Sequence, residues 1–125
     1  MTLINLNFNE IIEFDHDVLA DLCARHGTRT EAVIAAALGQ VEDLLVLAGL
    51  QVDSGEYPGL GRTCRDLLRL ADHIGMRTLG HAVEAVQDCL VTRNDAALAA
   101  CASRMLRLGH PETIAQWTVR HHTVA

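Results

Sequence analysis

Few residues in this 125-residue chain have the types and spacing that chemistry requires. Glu13-Phe14-Asp15-His16 has the Glu-x-x-His spacing with which carboxylate di-iron bundles hold metal. Such a centre also needs a second pair and a lone Glu from each of two further helices, and the sequence offers no second pair. The segment therefore reads as an acidic, solvated helix start. Cys23 and His26 could place two zinc ligands on one helical face, but no partner pair of suitable spacing accompanies them. A buried cysteine beside a histidine at a helix C-terminus is the simpler account. His121-His122 reads as exposed. Gly59-Leu60-Gly61-Arg62-Thr63-Cys64 lacks the lysine and the spacing of a phosphate loop, and no Gly-x-Ser-x-Gly elbow occurs. The expectation is a non-enzyme with no catalytic residue, metal or cofactor.

The run from Leu60 to Ile74 offers something different. At about 100° per residue, Leu60, Cys64, Leu67, Ala71 and Ile74 make one apolar stripe, flanked by Leu68 and Leu70. Arg62, Arg69 and His73 lie opposite, with Arg65 and Asp72 on one shoulder and Asp66 on the other. Three arginines and a histidine thus share one face over about three turns. A solvated face, the ordinary fate of charges opposite a core stripe, is the competing account.

The elements that must hold this face follow from the punctuation. Thr28-Arg29-Thr30-Glu31 has the capping-box pattern. After it, Ile34, Leu38, Val41, Leu45 and Ala48 form a helical stripe ending near Gly49 to Gln51. Val52 to Gly59 is a loop by composition. The Leu60 helix stops at Gly75, a left-handed cap, and Thr78 is the expected N-cap of a helix carrying Leu79, Val83, Val86 and Leu90. Thr92-Arg93-Asn94-Asp95 turns into a helix with Leu98, Cys101, Ala102, Met105 and Leu108 inward, ended by Gly109-His110-Pro111. Residues 9–26 read as one or two short helices bent near Phe14 to His16, and a weaker helix from Glu112 carries Ile114 and Trp117. The expected fold is all-α: an antiparallel four-helix bundle over 31–108, an N-terminal helical extension over 1–30 and a C-terminal helix over 109–125, in one domain.

Composition agrees. Half the residues are apolar and only 3% are aromatic, so the core rests on Leu, Val, Ile and Ala. All ten basic residues are arginines. Residues 1–56 carry ten acids against Arg25 and Arg29, whereas residues 57–125 carry six acids against eight arginines. A net charge of −6 argues against nucleic acid or an anionic membrane as the main partner. No apolar run is expected to reach the ~18 residues of a spanning helix, and Met1 to Asn9 lacks the basic n-region of a signal peptide. Cys23, Cys64, Cys89 and Cys101 are widely spaced, as in a reduced, cytoplasmic protein with buried thiols.

One family resembles this order. In the histidine phosphotransfer domain, a four-helix module of bacterial two-component signalling, the pattern is His-x-Leu-Lys-Gly-Ser/Ala. A small residue, an Ile-Gly pair, a further Leu and a Gly-Asp or Asn-Asp turn follow. Here Leu67 matches the Leu, Ala71 the small residue, Ile74-Gly75 the pair, Leu79 the next Leu and Asn94-Asp95 the turn. The resemblance spans about residues 31–108 and places Arg65 at the phosphoacceptor position. A guanidinium stays protonated and cannot act as the nucleophile that a neutral imidazole can. The family's Lys-Gly is Leu68-Arg69 here, and a long Arg69 crowds the approach that a glycine leaves open. The resemblance thus implies a degenerate, non-catalytic module that docks a receiver domain or histidine kinase through Arg62, Arg65, Arg69 and His73. Two other readings stay open: an active phosphorelay protein using His73, and a scaffold that self-associates as a homodimer through the Trp117 helix.

Overall fold

The computed structural model describes residues 15–109. Their regular elements are helices: α1 (His16–His26), a 3-10 turn (Gly27–Arg29), α2 (Thr30–Ser54), α3 (Tyr57–Ile74), α4 (Arg77–Thr92) and α5 (Asp95–Arg107). The all-α class is therefore as the apolar spacing indicates. Glu13, Pro111, Trp117, His121 and His122, with the expected helix beyond Glu112, lie outside the described residues.

The helices bury most of the stripes that their sequence lays out, although Leu90 of α4 and Cys101 of α5 are only half-buried. Ile34, Leu38, Val41, Leu45 and Ala48 of α2 are buried, as are Leu60, Cys64, Leu67, Ala71 and Ile74 of α3. Leu79, Val83 and Val86 of α4 meet Leu98, Ala102 and Met105 of α5 in the same core. α2 packs on α3, α3 on α4 and α4 on α5, and α5 returns to α2. α1 lies against α2 and α3 and adds Leu19 and Leu22 to the core.

Three two-residue turns join α2 through α5, and they share one backbone shape. Gly55 (φ 72°), Gly75 (φ 74°) and Arg93 (φ 55°) are left-handed, and Glu56, Met76 and Asn94 then lead into the next helix. A left-handed residue ends a helix by giving its N–H back to the last-turn carbonyls, so Gly75 stops α3 as expected. Asn94 caps α5 by accepting from the Ala97 N–H at 3.1 Å.

Gly75 has a second constraint. The Asp15 N–H donates to the Gly75 carbonyl at 2.8 Å. A Cβ at Gly75 would stand 3.2 Å from the Asp15 carbonyl oxygen and 3.3 Å from Val18 Cβ. Asp15 also caps α1, its carboxylate accepting from the Asp17 N–H at 2.9 Å. The start of α1 is thereby fastened to the α3–α4 turn.

Three local expectations are corrected. No capping box operates at Thr28: α2 starts at Thr30 behind a helical Arg29, and the Thr30 hydroxyl donates to the Gly27 carbonyl at 2.7 Å. The 3-10 turn leads straight from α1 into α2, so no extended residue stands where an N-cap needs one. The Val52–Gly59 stretch is not a loop, because α2 runs on to Ser54 and α3 begins at Tyr57, with Pro58 in its first turn. Proline is compatible with that position, where its missing N–H costs nothing. Met76, not Thr78, is the N-cap of α4, and Thr78 is buried. The helical run His16–Ser54 contains an 18-residue window of mean hydropathy 1.8, of which 33% is buried. By length and composition alone this run passes the test for a spanning helix, a test that the core helix of a soluble protein also passes, so it assigns no location.

Candidate functional site

Pro58 at the start and Gly75 at the end fix the length of α3, and its buried stripe fixes its rotation. Thr63 secures the α2 side: its hydroxyl bonds Gln51 Oε1 at 2.7 Å and the Gly59 carbonyl at 3.1 Å. Gly59 leaves room for this, since a Cβ there would stand 2.8 Å from Gln51 Nε2.

With α3 held in that rotation, Arg62, Arg65, Arg69 and His73 are all exposed along its outer face. Their spacing of three, four and four keeps them in line on a 3.6-residue helix. The strip is not uniformly positive. Arg69 Nη2 donates to Asp66 Oδ1 at 2.6 Å, in a pair with side chains 77% and 50% exposed. An ion pair so open to water contributes at most about 1 kcal/mol and yields readily to a competing carboxylate. Among the described residues no ion pair engages Arg62 or Arg65. Its guanidiniums can attract and orient anionic groups but supply neither base nor nucleophile, and His73 is the one imidazole in the row.

No protein-family model, curated protein or solved structure matches this chain.

The other sequence candidates do not assemble into a site. His16 opens α1 exposed, and Cys23 is exposed rather than buried, while His26 is half-buried. Among the described residues no group of three or more His, Cys, Asp or Glu side chains could hold a metal. Cys64 and Cys89 are buried as expected, but Cys101 is only partly so. Burial pushes the Cys64 thiol up to about 11, which keeps it protonated and inert.

Two features escaped the sequence reading. Cys89 and Cys101 face each other across α4 and α5, with Sγ atoms 3.7 Å apart. The outer face of α2 exposes Val46 (67%), Leu47 (43%) and Leu50 (62%). Ala32, Ala36, Gly39, Asp43, Val46 and Leu50 continue that face at spacings of four, three, four, three and four, all exposed. The signal was present as a second stripe, but α2 is apolar nearly all round, and its core stripe masks the other.

Proposed function

We propose that this chain is a histidine phosphotransfer-like four-helix bundle that docks a signalling protein through the arginine face of α3 without passing on phosphate. The observation that carries the reading is Arg65, exposed on α3 ten residues before the left-handed Gly75 and in line with Arg62, Arg69 and His73. That is where the resemblance puts the phosphoacceptor. The partner is a receiver domain or histidine kinase presenting an acidic surface, and the fit sets encounter rate and specificity.

The test is charge reversal at Arg65→Glu and Arg69→Glu together. Both side chains are exposed, so stability should change by no more than about 0.5 kcal/mol per site. Binding to the partner, followed by titration calorimetry, should weaken about tenfold or more, or roughly 1.4 kcal/mol. Added salt should weaken wild-type binding, because exposed charges are screened. Unchanged binding to receiver and kinase partners alike would end the docking reading. The Arg65→His, Arg69→Gly pair restores an imidazole and clears its approach. Acid-labile label on the wild-type chain that is lost in His73→Gln would instead favour His73, exposed in the last turn of α3, as an acceptor.

A second reading, self-association, is favoured by the α2 stripe; the Trp117 segment lies outside the described residues. Exposed apolar side chains at a 3.5-residue repeat are the seam of a coiled coil. The stripe is self-complementary when two copies of α2 run antiparallel about Val41. Ala32 then meets Leu50, Ala36 meets Val46, and Gly39 meets Asp43, each small residue facing a larger one. The two Asp43 carboxylates near the centre oppose the pairing. Asp43→Asn should therefore tighten the dimer and Val46→Glu should dissolve it, as read by sedimentation equilibrium. A monomer at every concentration in both variants would remove this reading.

A further inference from the structure

We infer that Cys89 and Cys101 form a redox-operated staple between α4 and α5, closing to a disulfide when a small-molecule disulfide such as oxidised glutathione reaches them. The Cys89 thiol already donates to Cys101 Sγ at 3.7 Å, on two helices that pack along each other. A disulfide needs the sulfurs at about 2.05 Å, a closure that side-chain rotation and a small approach of the helices can supply.

The two thiols differ in access, which orders the steps. Cys101 is half-buried at the edge of the interface, whereas Cys89 is only 9% exposed. The Cys101 thiolate attacks one sulfur of oxidised glutathione; the S–S bond breaks, and one glutathione leaves as a thiolate that takes up a proton. Cys89 loses its proton to water and attacks Cys101 Sγ, forming the protein disulfide and releasing the second glutathione. Two protein thiols are oxidised and one small disulfide is reduced to two thiols, so electrons balance. Burial, and after it the bond to Cys101, raises the Cys89 thiol above its usual range, so it stays protonated until the mixed disulfide forms.

The remaining cysteines cannot substitute. Cys64 is fully buried in the core, and Cys23 is exposed on α1 with no second thiol bonded to it. The closed loop contains the Arg93-Asn94 turn, so the bond locks the α4–α5 hairpin against opening. By removing freedom from the unfolded chain it raises thermal stability.

The experiment incubates the full, folded chain with oxidised glutathione and reads intact mass and non-reducing peptide maps. The expected product has lost two hydrogens, yields a peptide joining Cys89 to Cys101, and melts at a higher temperature that a reductant restores. Exposed Cys23 takes up one glutathione besides, so the loss of two hydrogens alone is read on the Cys23→Ser chain. Cys23→Ser should keep the internal link, and Cys101→Ser should lose it while retaining wild-type circular dichroism. Glutathione remaining on Cys101 with no internal link overturns the proposal. So does a link that appears only after denaturant is added, or a disulfide that pairs either cysteine elsewhere.

Discussion

Leu67→Ala should destabilise the protein by about 2–5 kcal/mol, the range for emptying a fully buried leucine site. Leu67 has no exposed surface and lies on α3 opposite the arginine strip. The void would open beneath the helix that presents the strip. Urea denaturation measures the loss, and the spread within the range reports how far Leu60, Cys64 and Ala71 relax into the gap. Val91→Ala is the contrast: Val91 is 83% exposed, so its truncation should stay within about 0.5 kcal/mol. A neutral Leu67→Ala would mean that α3 is rotated from this orientation, and the strip with it.

Gly75→Ala should cost about 2–3 kcal/mol, more than the same change at Gly55. Both glycines are left-handed, and a Cβ in that region costs about 1–2 kcal/mol. Around Gly55 there is nothing within 4 Å of the added atom, so that conformational term acts alone. At Gly75 the new Cβ also meets the Asp15 carbonyl and Val18, and either α1 shifts or the turn does. The difference between the two variants, taken from paired thermal melts, measures how firmly α1 is fastened. Equal losses would show that the Asp15–Gly75 contact carries little. Arg93 supplies the opposite sign: it holds the same left-handed shape with a side chain, so Arg93→Gly should stabilise by up to about 1 kcal/mol.

Much of this architecture was legible because it depends on nearest-neighbour patterns. The core stripes of α2, α3 and α4 could be read from spacing, since an apolar face and its period are set by helix geometry alone. Gly75 and Asn94 were readable for the same local reason. Thr28, Thr78 and the Val52–Gly59 stretch misled because hydroxyls, Gly and Pro are compatible with several terminal geometries, and packing around Thr30 and Met76 selects among them. The arginine strip was readable as a face, but its Asp66 pairing with Arg69 depends on side-chain rotamers. The Cys89–Cys101 contact was not readable. It depends on how α4 and α5 rotate against each other, and two cysteines twelve residues apart do not encode that. Cys23 failed as a core residue because the inward face of α1 is taken by Leu19 and Leu22.

The three two-residue turns also bear on how the chain finds its fold. Because α2 packs on α3, α3 on α4 and α4 on α5, most partners in space are neighbours along the sequence. Each hairpin can zip from its own turn without a search across the whole chain. Among the described residues, the return of α5 to α2 and the packing of α1 on α3, with its Asp15–Gly75 link, join distant segments. Low contact order of this kind belongs with folding in microseconds to milliseconds. Loop closure is needed late, after the hairpins have already brought their ends together. In that order of events α2 forms early with its outer stripe bare. A chain meeting its own copies while still incomplete would then offer α2 first, and the acids in and beside that stripe, Asp43 and Glu42, would be what keeps the copies apart.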